Sequence, residues 1–119
     1  MNGVLEFETW KTEIRRGIIE MCILSLLGTR EMYGYEISKT LSEISGGILN
    51  VEEGTLYPLL HRLETKKLIR GEWKIVQRKA RKYYRILPLG LEVLSEMIDF
   101  WKTLSEAVDR IVLGGEHSE

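Results

Sequence analysis

The spacing of apolar residues along the chain predicts helices in its first half. Residues 11 to 27 keep helical spacing and become apolar almost all round after Ile18, so the second half of this helix should be buried. A short second helix is expected from about Gly34 to Ser45, and the glycine pair at 46 and 47 is its stop signal. Its predicted inward positions are Ile37, Leu41 and Ile44. Residues 48 to 51 are expected to form a brief strand before the next helix.

The predicted third helix, residues 53 to 66, has two chemically different faces. Its apolar face carries Leu56, Leu59, Leu60 and Leu63, and its opposite face carries Gly54, Pro58, His61, Arg62 and Thr65. The leucines can anchor this helix in a core, which leaves the small, hydrogen-bonding face free to enter a DNA major groove. The second helix would then be the positioning helix of a helix-turn-helix. An interior proline removes a backbone hydrogen bond, so Pro58 predicts a bent or 3₁₀-like first turn.

The second half of the chain predicts a hairpin and a long helix. Residues 68 to 75 and 81 to 87 are β-prone runs joined by a polar, basic connection, and one of Tyr83 and Tyr84 should be buried because side chains alternate along a strand. A helix should follow from Pro88 to Leu113. Its first apolar seam is Leu91, Leu94, Ile98, Trp101, Ser105, Val108 and Val112, and its second is Val93, Met97, Phe100, Leu104, Ala107 and Ile111. Two seams need partners on two sides, which favours packing against the first helix and against a second copy of the chain.

The net charge of −1 conceals a segregation of charge along the chain. Residues 54 to 87 carry +8, whereas residues 1 to 53 carry −4 and residues 88 to 119 carry −5. The basic segment coincides with the predicted third helix and hairpin, which is the charge distribution expected of a surface that binds DNA phosphates. The alternative is a solvated run of surface charge.

Four stretches form a set that spans nearly the whole chain. They are Arg15-Arg16-Gly17, Tyr33-Gly34-Tyr35-Glu36-Ile37, Gly54-Thr55-Leu56-Tyr57-Pro58-Leu59-Leu60-His61-Arg62-Leu63-Glu64, and Arg81-Lys82-Tyr83-Tyr84-Arg85. In this order and spacing they resemble the PadR-type transcriptional regulators. The resemblance implies a winged-helix dimer that binds operator DNA, usually as a repressor. Two departures concern geometry: the wing tip, residues 76 to 80, lacks the glycines common in the family, and Glu52 stands where a serine or similar helix cap is usual.

The predicted fold is therefore mostly α-helical with a small β-hairpin wing. Residues 1 to 87 are expected to form a winged helix-turn-helix domain, with its first helix also packing on the dimer helix. Residues 88 to 119 are expected to form a C-terminal dimerisation helix with a short tail, of which residues 116 to 119 should be disordered.

Candidate DNA contacts lie on the positioning helix, the third helix and the wing. They are Tyr33, Tyr35, Lys39, Thr55, Tyr57, Pro58, His61, Arg62, Lys66, Arg78, Lys79, Arg81 and Lys82. The hydroxyls of Thr55 and Tyr57 suit phosphates near a helix N-terminus, and the wing cations suit phosphates or a narrow minor groove. The resemblance implies that Tyr33 and Tyr35 contact the DNA backbone, although one of the two should be a core residue.

The long helix also carries the candidate dimer and effector residues. The predicted dimer interface comprises Leu94, Ile98, Trp101, Ser105, Val108 and Val112. In drug-responsive PadR-like regulators a tryptophan at the corresponding point of this helix lines a ligand slot, and the resemblance implies the same for Trp101. Near a two-fold axis the Trp101 rings of two chains would face one another and, beside Ile98, Phe100 and Ser105, would bind a flat aromatic or cationic molecule by stacking and cation–π attraction. The alternative is that Trp101 is an ordinary core residue.

Nothing in the sequence predicts an enzyme, a cofactor or a metal site, because it has no paired-carboxylate site, no Ser/His/Asp order, no Gly-rich phosphate loop and no Cys/His cluster. The single Cys22 is expected to be a small buried hydrophobe. No apolar run is long enough to cross a bilayer and residues 1 to 8 are acidic, so a cytoplasmic protein without membrane contact is expected. The alternative function is a winged-helix module that binds protein instead of DNA, without the steep salt dependence of phosphate binding.

Overall fold

The structure, a computed structural model, describes residues 2 to 114. Its elements are α1 (Asn2–Leu27), β1 (Met32–Tyr33), α2 (Gly34–Ile44), α3 (Glu53–Thr65), β2 (Ile69–Val76), β3 (Lys79–Ile86) and α4 (Pro88–Val112). Within these residues there are four helices and one three-stranded antiparallel sheet, which confirms the predicted mostly helical fold with a hairpin wing. The predicted disorder of residues 116 to 119 lies outside the described residues.

The core forms where the apolar stripes of the first three helices meet the base of the sheet. Its buried residues are Ile19, Ile23, Leu24, Leu27, Met32, Ile37, Leu41, Leu56, Leu59, Leu60, Leu63, Leu68, Ile69, Tyr84 and Leu94. All four leucines predicted for the inner face of α3 are among them, and each fully buried side chain of this kind contributes about 1.5 to 3 kcal/mol of transfer free energy. The inner face of α3 is therefore fixed, and with it the direction of its outer face.

Three details differ from the predicted elements. The first helix begins at Asn2 instead of residue 11, and Val4, Leu5, Phe7 and Trp10 in this additional segment are exposed. Ile44, predicted to point inward, is 74% exposed at the end of α2. Residues 48 to 51 form no strand but a loop, in which the amide of Leu49 donates to the hydroxyl of Ser45 at 2.8 Å.

The sheet has the order β1-β3-β2, and its short first strand was not predicted because two residues carry no readable pattern. Tyr84 is buried and Tyr83 is half-buried, as the alternation of the strand predicts. The hairpin turns through Gln77 and Arg78, whose φ angles of 52° and 68° are both in the left-handed region. This is the backbone of a two-residue turn that usually carries asparagine and glycine, so the glycine-poor wing tip still closes tightly.

The long helix α4 is locked to the sheet at its first turn. Pro88 stands at its start, and the amide of Leu87 donates to the carbonyl of Leu68 at 2.9 Å. Gly90 lies directly against that same carbonyl, so a β-carbon there would overlap it. One turn further Leu94 packs beside Gly28 at the end of α1. The junction between wing and α4 is thus a close backbone contact and not a flexible linker.

The described residues hold little other chemistry. Cys22 is half-buried and packs against the core, and burial raises the pKa of its thiol. No group of three or more His, Cys, Asp or Glu residues in the described part of the chain could hold a metal ion. From residue 2 to residue 114, no helix has the length and apolarity that a membrane span requires.

Candidate nucleic-acid interface

The outer face of α3 is open to solvent along its whole length. Gly54, Tyr57, Pro58, His61 and Thr65 are exposed, opposite the buried leucines. The carbonyl of Glu52 accepts hydrogen bonds from the amides of Thr55 and Leu56, so one 3₁₀-type bond precedes the proline, but residues 53 to 65 form a continuous α-helix without a separate 3₁₀ turn. The resulting surface is free of bulky aliphatic side chains and offers hydrogen-bonding groups, and its dimensions suit a major groove.

Tyr57 joins α3 to the start of α2. Its ring lies so close to Gly34 that a β-carbon on Gly34 would overlap the phenol. It also lines a hollow of about 410 Å³ between the two helices and the wing. The other residues of this hollow are Tyr33, Gly34, Trp73, Ala80, Arg81, Lys82 and Tyr84. Gly34, between Tyr33 and Tyr35, therefore allows the close approach of α2 and α3.

The two tyrosines at the start of α2 have different surroundings. Tyr33 is half-buried, with the Tyr83 ring edge-on at 5.4 Å and the Arg81 guanidinium 4.4 Å above its own ring. Its amide donates to the carboxylate of Glu36 at 3.2 Å, which closes the helix start. Tyr35 and Lys39 are exposed on the outer side of α2. Tyr33 is therefore half-buried against the wing, Tyr35 is exposed, and neither belongs to the hydrophobic core, in which one of them was expected.

The wing cations separate into two groups. Arg78 and Lys79 are exposed at the tip, with no carboxylate within ion-pair distance among the described residues. Lys82, grouped with them from the sequence, instead faces α3, where its Nζ lies 3.3 Å from a carboxylate oxygen of Glu64 and 5.5 Å from the Tyr84 ring. Its placement outside the tip cluster follows from the strand register, which pairs it with Trp73 on the side of the hairpin facing α3.

Glu64 stabilises this inward side of the wing. Its second oxygen accepts a hydrogen bond from the amide of Gly71 at 3.0 Å. Burial, the charge of Glu64 and the neighbouring Tyr57, in that order, raise the pKa of the Tyr84 phenol, which therefore stays neutral at physiological pH. The carboxylate thus connects the C-terminal end of α3 to both strands of the wing.

Trp73 is a surface residue without a functional signal in the sequence. It is 71% exposed on β2 and lines the hollow beside Tyr57. Within a β-prone run its ring was indistinguishable from an ordinary strand former, and only the register shows that it flanks the outer face of α3. Its indole therefore presents an exposed aromatic surface beside the outer face of α3.

Arg62 lies on the opposite flank of α3, toward α1. Its Nε lies 2.8 Å from Oε2 of Glu20, and its Nη2 contacts the same oxygen. A groove of about 470 Å³ separates this flank from α1, and Arg15, Arg16, Thr55 and Pro58 also line it. Arg15 holds the loop before α3 through the carbonyl of Ile48 at 3.3 Å. In the sequence, the Arg15-Arg16-Gly17 motif was the feature that indicated basic residues on this side of α3.

The remaining candidate contacts are exposed at the ends of α3. Thr55 lies in its first turn, and Lys66 forms its C-terminal cap residue. Glu52 caps the N-terminus with its carbonyl alone, because its side chain makes no capping hydrogen bond. The helix therefore still starts at Glu53, although Glu52 replaces the usual serine-like cap.

The candidate dimer and effector residues divide between core and surface. Leu94 is 8% exposed and belongs to the core of its own protomer, whereas Val108 and Val112 are exposed. Trp101 is 39% exposed and lines a groove of about 190 Å³ between α1 and α4. The other lining residues are Gly17, Ile18, Glu20, Met21, Met97, Phe100 and Leu104. Ile98 and Ser105, expected beside Trp101, are not part of this groove.

Comparisons with known proteins agree with this geometry. The model of the transcriptional regulator PadR-like family matches residues 23–96. A transcriptional regulator of Mycobacterium tuberculosis is 35% identical over 104 residues, which are 87% of this chain and 91% of the relative. The crystal structure of a PadR family transcriptional regulator from Eggerthella lenta, 35% identical, superposes with a TM-score of 0.84 over 99% of both chains. A PadR-like transcriptional regulator from Bacillus cereus, 37% identical, gives a TM-score of 0.76 over 90% of this chain and 99% of that structure.

Proposed function

Because the chain belongs to the PadR-like family of transcriptional regulators, which are DNA-binding proteins and not enzymes, we propose that it represses transcription by binding a palindromic operator as a homodimer. The observation that carries this proposal is the open face of α3 together with the exposed wing-tip cations Arg78 and Lys79, which have no carboxylate partner in the part of the chain that the structure describes. The α3 face would read bases in the major groove, and the wing would hold phosphates. This function requires that the protein act in the cytoplasm, on the chromosome.

The proposed homodimer is supported by apolar surface that the protomer leaves uncovered. On α1 it comprises Val4, Leu5, Phe7, Trp10 and Ile14, and on α4 it comprises Phe100, Trp101, Leu104, Val108, Ile111 and Val112. Soluble monomers rarely expose so many large apolar side chains on adjoining helices. A second copy related by two-fold symmetry would cover these ends and hold two α3 helices at a fixed separation.

Selection from random duplexes tests the DNA-binding part of the proposal. At low salt the protein should enrich a roughly palindromic sequence whose half-site centres lie about one helical turn apart. The logarithm of the binding constant should fall by about 0.9 for each phosphate contact against the logarithm of salt concentration. Sedimentation of the complex should give two protomers per duplex. Failure to enrich any palindrome would contradict the proposal.

The protein-docking alternative is not favoured, because the matching family consists of transcriptional regulators. The two functions make opposite predictions about salt. Neutralisation of phosphates releases counterions and makes binding steeply salt-dependent, whereas a docking surface need not show such dependence. A shallow salt response with tight binding to a protein partner would favour the alternative.

We expect a flat aromatic or cationic molecule to bind beside Trp101 and release the operator. The groove between α1 and α4 adjoins the uncovered apolar ends, so a ligand there would change how two copies pack and would alter the spacing of their α3 helices. Release occurs only to the extent that the ligand prefers the DNA-incompetent arrangement.

Titration of a planar dye against the DNA-free protein, followed by tryptophan fluorescence, tests this expectation. Trp101→Ala should weaken dye binding at least severalfold, because stacking and cation–π attraction each contribute about 0.5 to 1.5 kcal/mol. Trp73→Ala, which removes an exposed indole that lies neither in the groove nor on the proposed dimer surface, is the control in this DNA-free titration. Unchanged dye affinity in an intact Trp101→Ala dimer would place any effector elsewhere.

A further inference from the structure

An ion pair connects α3 to α1. Both Nε and Nη2 of Arg62 donate to Oε2 of Glu20, with the Nε distance at 2.8 Å. The side chain of Glu20 is 19% exposed and that of Arg62 is 52% exposed. The carboxylate is therefore the more fixed member, and the guanidinium is the member that solvent or a ligand can reach.

Arg62 stands next to the surface proposed to meet DNA. It lines the same groove as Thr55 and Pro58, which belong to the open side of α3. A guanidinium donates in pairs to carboxylates, to phosphates and to the edge of guanine, and two such acceptors cannot share one edge of the guanidinium. Glu20 occupies the Nε/Nη2 edge of the Arg62 guanidinium, so a phosphate or guanine that approaches this edge would have to displace the carboxylate.

Glu20 also faces a second region of the molecule. It lines the groove between α1 and α4 together with Met21 and Trp101. One carboxylate thus lies between α3 and the groove beside the uncovered apolar ends. A change in the partner of Arg62 would leave an unpaired charge at the wall of that groove.

We propose that Glu20 is a positioning residue for DNA binding, which competes with DNA for the guanidinium of Arg62. In the free protein the ion pair holds Arg62 against α1, and on the operator Arg62 exchanges the carboxylate for a phosphate or a guanine edge. The exchange subtracts from the affinity that Arg62 would otherwise add. This inference rests on the proposed operator binding.

Substitution of the carboxylate tests the competition, with operator affinity measured by fluorescence anisotropy on a duplex obtained by selection. Glu20→Gln should raise operator affinity about two- to fivefold, the range expected when a partly exposed ion pair no longer has to be broken. Glu20→Asp keeps the charge but shortens the reach, and should give an affinity between wild type and Glu20→Gln. The matched control is Glu13→Gln, which makes the same charge change two helical turns earlier on the same side of α1.

A double-mutant cycle separates competition from a general electrostatic effect. In an Arg62→Ala background, Glu20→Gln should raise affinity no more than Glu13→Gln does. Equal gains from the two glutamine variants in the wild-type background would overturn the inference, as would a Glu20→Gln gain that persists without Arg62. A loss of affinity in Glu20→Gln would also overturn it, because the ion pair would then present Arg62 to DNA.

These outcomes are distinguishable from failure of the proposed function. If the wild-type protein binds no duplex, the proposed function fails and the inference fails with it. If the wild-type protein binds its operator and the glutamine variants behave alike, only the role of Glu20 is rejected. Melting curves of Glu20→Gln and Glu20→Asp verify that both variants are folded.

Discussion

Replacing Gly90 by alanine should destabilise the protein by about 1 to 3 kcal/mol, the usual cost of forcing extra volume into a packed site. The added β-carbon would overlap the carbonyl oxygen of Leu68 and lie 2.7 Å from Cγ1 of Ile86. The carbonyl cannot easily move, because it accepts the hydrogen bond from Leu87 that closes the junction. The first turn of α4 would have to shift away from the sheet, so thermal unfolding followed by circular dichroism should show a lower midpoint.

Gly3→Ala is the matched control for this prediction. Gly3 also stands in the first turn of a long helix, but a β-carbon there meets no atom within 4 Å. Alanine is favoured over glycine in a helix by about 0.5 to 1 kcal/mol, so the control should be neutral or slightly stabilising. Both variants must be melted at the same protomer concentration, because association shifts the midpoint. A Gly90→Ala variant that melts like Gly3→Ala would contradict the close junction.

Removing the wing-tip cations should weaken binding to every duplex. Arg78→Ala and Lys79→Ala each remove an exposed charge that has no carboxylate partner among the described residues, so each should reduce the salt slope by about 0.9 if it contacts one phosphate. The loss should be similar on the operator and on random DNA, because phosphate contacts carry no sequence information. Lys102→Ala, an exposed cation on α4, should change neither quantity.

A substitution at the centre of the outer face of α3 should affect DNA binding differently from the wing-tip substitutions. His61→Ala should cost about 1 to 3 kcal/mol on the operator and little on random DNA, as expected for a side chain that reaches base edges. We propose it as the main base-reading residue of this helix, because it is exposed opposite the buried leucines. Equal losses on both duplexes for His61→Ala and for the wing variants would contradict the division between reading bases and holding phosphates. Anisotropy titrations at several salt concentrations measure all of these effects.

Much of the fold was readable from local pattern. The leucines of α3 recur at helical spacing, and their burial follows from the free energy of removing apolar side chains from water. Pro88 marks the start of α4, and the alternation at Tyr83 and Tyr84 predicted one buried ring. These features depend on residues a few positions apart, so the local sequence is sufficient to predict them.

The candidate site was only partly readable. The outer face of α3 and the exposed tip residues Arg78 and Lys79 lie where the sequence predicted. Lys82 does not belong to the tip cluster, because its partner Glu64 lies on another element and the strand register turns it inward. Trp73 was not selected, because its exposure beside α3 depends on the same register.

The sequence by itself determined which face of each helix is apolar, through the spacing of apolar residues, and which segment is basic, through the order of charged residues. Both are properties of residues that are close along the chain. Only the tertiary structure decided what covers each face and which charges are paired. Leu94 lies in the core of its own protomer while Val108 on the same seam is exposed, because α4 extends beyond the core. Arg62 meets Glu20, 42 positions away, because the packing of α1 against α3 brings the two side chains together. A long charged side chain pairs with whichever opposite charge lies near it in space, and the local sequence pattern does not show which residue that is.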